Sequence, residues 1–273
     1  MYPLRLAQNH LTLLETCPRK FQHWVLDQLG IPEAVEQQER LRQGARFHLL
    51  LQQWLMALPI APMLQADKQL HQWMEAFQAA APQILDEGVQ QPESDRLLEW
   101  AGYLLTVRYD LLILGNEHAK ILDWKTSTRP KQAQKLEHHW QTRLYRFVLA
   151  ETSRYLPEQI SMVYWFFQSN PQDGTPHSLT FQYNSRKHEE TRQDLQRLLS
   201  QLTEWLTQYQ AGQAFPQVGW GSPQCEDCSF AARCERAIAP ARQEWDEHER
   251  EAGDRDFWQL PTLAEIAEVP LES

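Results

Sequence analysis

Two aspartates and a lysine on a predicted β-hairpin are the residues of this 273-residue chain best placed to do chemistry. Runs of Leu, Ile, Val and Tyr on either side of a Gly-Asn pair at 115–116 predict two strands joined by a tight turn. If the turn is centred just after that pair, facing residues have numbers that sum to 233, so Asp110 faces Asp123. Because side chains alternate along a strand, Lys125 lies on the same face as Asp123.

Two carboxylates that face each other repel, and a divalent cation between them would remove that repulsion. Carboxylate oxygens suit hard ions such as Mg²⁺ or Mn²⁺, which polarise a phosphoryl oxygen and lower the pKa of a bound water. Lys125 would then orient or deprotonate this water, or stabilise charge on the phosphate. The alternative is an ordinary strand with a surface ion pair, because an acid two residues before a lysine is a pattern that chance alone produces about once in such a chain.

Three further polar residues have spacings that suit a site. His48 lies on a predicted helix, one turn after the small residue Gly44. Gln141 and Tyr145 are four residues apart and therefore share one face of a later helix. Each also has an ordinary explanation, since a lone helical histidine is usually structural or solvated and the other two suit a half-exposed helix face.

The chain has four cysteines, and three of them, Cys225, Cys228 and Cys234, fall within ten residues. The fourth, Cys17, directly precedes Pro18, which predicts a helix start where the dipole favours a thiolate. Three interpretations are open at this point: unrelated buried cysteines, a tetrahedral Cys₄ zinc site, or a [4Fe–4S] cluster, which also takes four cysteines.

The predicted elements run in the order helices, strands, helix, strands, helix, which favours an α/β sandwich. A loop-like stretch between Pro82 and Pro92 separates the first helices from a strand pattern that begins at Arg96. The predicted helices cover 9–29 with an interruption at Pro18, 40–58, 67–80, 131–150 and 186–210, and the predicted strands cover 103–114, 119–125, 159–168 and 178–183.

The formal net charge of −10 argues against a nucleic-acid partner until its distribution is considered. Residues 241–273 contain ten acids and three arginines, a net of −7, whereas residues 125–146 contain six bases and one acid, a net of +5. The basic segment suits either a solvated helix face or a phosphate-binding groove. No apolar run is long enough to span a membrane, and residues 1–10 lack the apolar core of a secretory signal, so we expect a cytoplasmic protein.

Taken in order, these motifs resemble the PD-(D/E)XK nuclease superfamily in its RecB-like branch. The ordered set is Gly44…His48, Asp110, Asp123-Trp124-Lys125 and Gln141…Tyr145. One cysteine before these motifs and a C-x-x-C-x₅-C pattern after them are similar to the iron–sulfur members of that branch, which include the CRISPR-associated exonuclease and AddB-type nuclease domains. Val107 departs from the family pattern, because many members have glycine at this position; we expect altered strand packing there rather than lost activity.

The resemblance implies a restriction-endonuclease-like α/β core with a mixed central sheet flanked by helices. It also implies N-terminal helices and a C-terminal segment that are joined at a four-cysteine site. The implied divisions are N-terminal helices in 1–95, the nuclease core in 96–210, the cysteine segment in 217–240 and an acidic tail in 241–273.

By the same resemblance, His48, Asp110, Asp123 and the backbone carbonyl of Trp124 hold Mg²⁺ or Mn²⁺, and Lys125 is the catalytic lysine. Gln141 and Tyr145 belong to a helical motif that helps to place DNA. The four cysteines hold a [4Fe–4S] cluster. The candidate DNA-binding residues are Arg19, Lys20, Arg129, Lys131, Lys135 and Arg143.

The sequence therefore predicts a metal-dependent deoxyribonuclease, an exonuclease on single-stranded DNA ends that works in repair, recombination or CRISPR adaptation. The alternative is a non-catalytic DNA-binding or scaffold module of the same fold. Exposed members of the 11 tryptophans are candidates for stacking on unpaired bases. The acidic tail is a solvated helix, a mimic of DNA or a contact for a basic protein partner.

Overall fold

A six-stranded mixed sheet forms the centre of the protein. The structure is a computed structural model that describes residues 3–30, 35–128, 130, 132–168 and 175–236. The predicted acidic tail lies outside these residues.

The sheet has the strand order β1-β3-β4-β5-β6, and β2 pairs with β3 as an additional edge strand. Two of its pairings, β1 with β3 and β4 with β5, are parallel, and the others are antiparallel. The strands are β1 (Arg5–Leu6), β2 (Val89–Trp100), β3 (Tyr103–Leu114), β4 (Ala119–Lys125), β5 (Ile160–Phe166) and β6 (His177–Gln182).

Helices cover both faces of the sheet, and the predicted mixed α/β architecture is confirmed. A π-helical turn, Gln22–Leu26, follows α2 directly. The α-helices are α1 (Gln8–Thr16), α2 (Pro18–Phe21), α3 (Val35–Leu55), α4 (Ala61–Ala66), α5 (Lys68–Ile84), α6 (Ala133–His138), α7 (Trp140–Thr152) and α8 (Ser185–Gln210). None of the helices in the described residues is long and apolar enough to cross a membrane.

One hydrophobic core lies between the sheet and helices α1, α7 and α8. Helix α7 is buried over most of its length, and α8 contributes an apolar stripe at helical spacing. The buried residues of α8 that form this stripe are Leu195, Leu198, Leu199 and Leu202, preceded by Thr191.

A second core lies on the other face, where α3 and α5 pack against β4. Asp67 caps α5 by accepting hydrogen bonds from two backbone amides of its first turn. Trp124, which alternates with Asp123 and Lys125 along β4, is buried in this core beside Phe77. The alternation therefore places the indole of Trp124 in the core and its two charged neighbours on the opposite face.

The segment before β3 differs from its prediction. The loop-like stretch predicted between Pro82 and Pro92 is wrong, because α5 extends through Pro82 and β2 begins at Val89, well before Arg96. Pro92 is accommodated because β2 is an edge strand, where a missing backbone N–H breaks no ladder on the open side. This extension of β2 brings a further carboxylate next to Asp110 of β3, as described below.

The helix predicted over 131–150 is interrupted at His139, which adopts an extended backbone conformation. Its ring nitrogen Nδ1 accepts a hydrogen bond from the backbone N–H of Gln141 at 3.3 Å and so caps α7. The interruption gives α7 its own N-terminus, close to the end of β4.

Candidate active site

The predicted register of the β3–β4 hairpin is confirmed. Leu111 pairs with Leu122, so the paired residues sum to 233, and Asp110 and Asp123 directly adjoin this last pair. The backbone N–H of Trp124 donates a hydrogen bond to Asp110 Oδ2 at 2.7 Å, which fixes this carboxylate against β4.

His48 reaches the two strands from α3. Its Nδ1 lies 3.2 Å from Asp110 Oδ1, and its Nε2 lies 2.9 Å from the carbonyl oxygen of Trp124. A Cβ built on Gly44 would lie 3.3 Å from Thr126 Oγ1, so the small residue one turn before His48 allows α3 to approach the end of β4 closely. The sequence signal of a small residue one turn before a histidine therefore has a steric reason.

Gln141, at the start of α7, links the lysine to the second aspartate. Its amide nitrogen donates to Asp123 Oδ1 at 2.6 Å, and its amide oxygen accepts from Lys125 Nζ at 3.2 Å. Lys125 Nζ also forms an ion pair with Asp123 Oδ2 at 2.7 Å. The half-exposed interpretation is wrong for Tyr145, which is only 5% exposed, whereas Gln141 is half-buried and is part of the charged cluster.

Tyr145 lies behind the cluster rather than on its surface. Its ring packs edge-on against Tyr109, whose hydroxyl donates to the backbone oxygen of Tyr145 at 3.0 Å. Burial, followed by the charges of Asp123 and Asp110, raises the pKa of the Tyr145 hydroxyl well above its usual value. The phenol is therefore neutral and serves as a packing and hydrogen-bonding group at the base of the site.

The two aspartates have opposite electrostatic environments. Burial alone would raise the pKa of Asp110, but the charge and hydrogen bond of His48 outweigh it and hold that pKa below its usual value. Burial raises the pKa of Asp123 to about 6, against the opposing charge of Lys125. Burial alone would lower the pKa of His48, but the charge and hydrogen bond of Asp110 outweigh this effect and raise the pKa to about 9. The imidazolium thus supplies the positive charge that balances Asp110.

The donor atoms of this cluster fit a divalent cation. Neighbouring ligands of an octahedral ion with bonds of about 2.1 Å lie about 3 Å apart. His48 Nε2 lies 2.9 Å from the Trp124 carbonyl oxygen, which suits such a pair, whereas the 3.2 Å contact to Asp110 is made by the other ring nitrogen, Nδ1. Asp123 is 3% exposed, and its Oδ2, which has two lone pairs, has the Lys125 ammonium as its neighbour at 2.7 Å. A buried carboxylate oxygen with spare acceptor capacity is the group that a hard cation satisfies.

Glu93 is the site residue that the sequence reasoning missed. Its carboxylate lies close enough to His48 and Asp110 for one ligand atom of each to fall within 4.8 Å of the other two. Burial, and then the charge of Asp110, raise the pKa of Glu93 to about 7. A second hairpin signal, the Ala-Gly pair at 101–102, could have revealed it, because a turn there places Glu93 opposite Asp110.

All four cysteines line one cavity between the N-terminal helices and the C-terminal segment. None of the four is in a disulfide, and Cys17 lies at the N-terminus of α2 as predicted. Burial raises the pKa of the Cys234 thiol, and the other three cysteines add to this rise while Arg19 opposes it. The tertiary structure therefore brings Cys17 to the cysteine segment across more than 200 positions of sequence.

The predicted DNA-binding residues have mixed placements. Arg19 donates from Nε to the Phe215 carbonyl at 2.6 Å, and Lys20 lines the cysteine cavity. Arg143 pairs with Asp194 and stacks on a tryptophan ring, and Lys135 lies in the last turn of α6. Arg129 and Lys131 lie outside the described residues. Within the basic segment, Arg146 is 1% exposed.

Arg146 therefore cannot contribute to a surface groove. Its guanidinium donates to the carbonyls of Thr142 and Gln182 and stacks on Tyr183 inside the core. The sequence predicts a solvated or phosphate-facing surface for Arg146, and this prediction is wrong because backbone carbonyls provide the partners that a buried guanidinium requires.

The fold and the site together define a mixed α/β protein with a histidine–carboxylate–lysine centre at the middle of its sheet. A sequence model of the PD-(D/E)XK nuclease superfamily matches residues 5–235. The chain belongs to this superfamily, and its sheet and flanking helices are those of a restriction-endonuclease-like fold.

Two solved structures align with this chain at low sequence identity, and the first of them has a similar fold. A protein from Eubacterium rectale described as a "Putative exonuclease" is 11% identical, with 86% of this chain and 89% of that chain covered and a TM-score of 0.52. A structure described as SSO0001 is 15% identical, with 89% of each chain covered and a TM-score of 0.36. No curated protein matches the sequence.

Proposed function

We propose that this protein is a divalent-metal-dependent deoxyribonuclease that acts as an exonuclease on single-stranded ends. The observation that carries the proposal is the convergence of His48, Asp110, Asp123 and Lys125 at one point, with Gln141 bridging the last two. A non-catalytic module would have no need for a buried carboxylate held 2.7 Å from a lysine. Placing such charges in the interior costs stability, which selection for catalysis explains.

The residues have separate roles in the proposed hydrolysis. His48, Asp110, Asp123 and the Trp124 carbonyl would hold Mg²⁺ or Mn²⁺. The bound cation supplies Lewis acidity, polarising a phosphoryl oxygen and lowering the pKa of a water. Lys125 holds the attacking water or the phosphate oxygen by donating hydrogen bonds from Nζ.

Gln141 keeps the lysine and Asp123 in a fixed arrangement, because one amide contacts both side chains. The water oxygen forms the new bond to phosphorus as the bond from phosphorus to the leaving oxygen breaks. The positive charge of Lys125 stabilises the negative charge that develops during this exchange.

We also propose that the four cysteines hold a [4Fe–4S] cluster and that the chain belongs to the RecB-like branch. Support comes from the shared cavity and from the spacing of the thiols. A tetrahedral zinc site with bonds of about 2.3 Å places its sulfurs about 3.8 Å apart. In the described chain, no three cysteine sulfurs lie within 4.8 Å of one another, which favours a group larger than a single ion.

The cluster would reinforce a junction that hydrogen bonds already form. The backbone N–H of Arg19 donates to the Pro216 carbonyl at 3.1 Å, and the backbone N–H of Phe215 donates to Gln22 Oε1 at 2.7 Å. Replacing Cys225 by alanine should remove the visible absorption of anaerobically purified protein and lower its stability. Metal analysis that found zinc and no iron would contradict this assignment.

Single-stranded DNA is proposed as the substrate because base-stacking and phosphate-binding groups lie beside the cysteine cavity. Trp220 is 75% exposed, and the guanidinium of Arg236 lies 5.0 Å from its ring centroid. Exposed aromatic rings next to cations bind unpaired bases. We place the activity in DNA processing, either in repair and recombination or in CRISPR adaptation.

The test is digestion of end-labelled single-stranded DNA by anaerobically purified protein with Mg²⁺ or Mn²⁺. Asp123→Ala and Lys125→Ala should both abolish cutting. Lys120→Ala is the matched control, because Lys120 lies on the same strand and pairs with Asp86 away from the site. Metal-independent cutting, or no cutting by cluster-loaded protein that still binds DNA, would contradict the proposal and favour a DNA-binding module.

A further inference from the structure

A buried network of polar side chains follows α2, and the proposed hydrolysis makes no use of it. The network begins in the π-helical turn Gln22–Leu26, and turns of this type are rare and occur frequently at functional sites. Gln22 and His23 open the turn, yet they are only 6% and 4% exposed. Polar side chains that are buried to this extent require hydrogen-bond partners, which here come from Asp27 and from the C-terminal segment.

Asp27 holds the ring of His23 from one side. Its Oδ2 lies 3.0 Å from His23 Nδ1 and also accepts a hydrogen bond from Gln22 Nε2 at 3.2 Å. Its Oδ1 accepts a hydrogen bond from the Tyr209 hydroxyl at 2.7 Å. Burial alone would raise the pKa of Asp27, but its three hydrogen-bonded partners outweigh burial and hold that pKa below its usual value. Because an ionised carboxylate only accepts hydrogen bonds, the hydrogen between the two groups lies on Nδ1 of His23.

The other ring nitrogen of His23 faces a cysteine. His23 Nε2 lies 3.8 Å from Cys234 Sγ, a hydrogen-bonding contact between residues that are 211 positions apart. The ring also packs against Phe230, with the two ring centroids 5.2 Å apart. Cys234 and Phe230 both line the cysteine cavity. The network therefore runs from a carboxylate, through an imidazole, to one of the four sulfurs that are proposed to hold the cluster.

We propose that His23 donates a hydrogen bond from Nε2 to the sulfur of Cys234 and thereby raises the reduction potential of the [4Fe–4S] cluster, an inference that rests on the cluster proposed above. A ligating thiolate accepts hydrogen bonds and cannot donate them, so a favourable contact requires a hydrogen on Nε2. A ring that donates from both nitrogens is positively charged, and the carboxylate of Asp27 balances that charge.

The effect on the cluster follows from its charge. A cluster becomes more negative when it takes up an electron, and a charged donor beside one of its sulfurs stabilises the more negative form. Groups that contact a metal ligand in this way tune the metal site without binding the metal themselves. The network also has a purely structural part, because the Tyr209 hydroxyl links α8 to the π-helical turn through Asp27 Oδ1. His23 contacts the other carboxylate oxygen, so the two parts are separable by substitution.

The experiment measures the iron content, the visible absorption and the reduction potential of anaerobically purified protein, with dithionite as the electron donor in a dye-mediated titration. For His23→Phe, we expect the equilibrium constant for one-electron reduction to fall by roughly tenfold, a shift of about 59 mV to lower potential, because one hydrogen bond to a charged group is lost. His23→Gln should recover part of this shift, since its amide N–H can donate to the same sulfur. Asp27→Asn should shift the potential in the same direction as His23→Phe but by less. Tyr209→Phe is the matched control and should leave the potential unchanged, because it removes only the bond to Asp27 Oδ1.

The outcomes distinguish this inference from the proposed cluster. Unmodified protein that contains no iron–sulfur cluster would refute both. A cluster-loaded unmodified protein whose potential is the same as that of His23→Phe would refute the role of His23 alone. Equal shifts in His23→Phe and His23→Gln, or a shift of the same size in Tyr209→Phe, would show a structural role and would also refute the inference. If His23→Phe does not retain its cluster, Asp27→Asn decides, because it leaves the imidazole in place; an unchanged potential in that variant would refute the inference.

Discussion

Replacing Gln141 by leucine tests whether the charged cluster depends on a single amide. Asp123 is 3% exposed; Gln141 donates a hydrogen bond to its Oδ1, and Lys125 Nζ lies 2.7 Å from its Oδ2. A buried group that loses its hydrogen-bond partner costs about 1–3 kcal/mol, and more when it is charged. We therefore expect Gln141→Leu to destabilise the protein by about 2–4 kcal/mol.

This cost should be visible in thermal and chemical unfolding. For a domain of 150–250 residues, each kcal/mol lowers the melting temperature by about 2–4 °C, so the expected decrease is roughly 5–15 °C. Gln193→Leu is the matched control, since Gln193 is a helical glutamine whose hydrogen bond to Glu189 is exposed. Nuclease activity of Gln141→Leu should fall with its stability, because Lys125 loses an oxygen that holds it.

A double-mutant cycle with Asp123→Asn isolates the interaction. Once the aspartate is neutral, the same Gln141→Leu substitution should cost about 1 kcal/mol, the value of an ordinary hydrogen bond. The reasoning is wrong if Gln141→Leu costs no more than the exposed control, or if its cost is the same in both backgrounds.

Three other predictions concern single residues of the N-terminal helices. Burial lowers the pKa of His10 to about 4, so its proton is bound by the unfolded chain but not by the folded one as pH falls below 6.5. The stability that the neutral His10 contributes is therefore complete above pH 6.5 and is lost as the pH falls. The difference in unfolding free energy between His10→Gln and the unmodified protein, measured by urea titration, should shift by about 2 kcal/mol in favour of His10→Gln between pH 8 and pH 5. Gly44→Val should lower activity more than Gly44→Ala in DNA digestion, because a larger side chain displaces Thr126 and moves α3; equal activities would contradict this steric role. Arg19→Met should destabilise the protein by about 1–2 kcal/mol through loss of its charged hydrogen bond to the Phe215 carbonyl, and an unchanged urea midpoint would exclude this contribution.

The sequence alone determined the features that depend on local pattern. The β3 and β4 boundaries, the register that pairs Leu111 with Leu122, and the helix start after Cys17 all follow from residue types and spacing within a few positions. Strand alternation and turn length fix which residues of a hairpin face each other, whatever the rest of the chain does.

Only the tertiary structure decided how distant groups combine. Gln141 contacts Asp123 because α7 begins beside β4, and Arg146 is buried because backbone carbonyls of other elements receive it. Glu93 joins the site because β2 extends through Pro92 to pair with β3. Such contacts depend on how packed layers meet in space, and the periodicity of a single segment contains no information about the segment that packs against it.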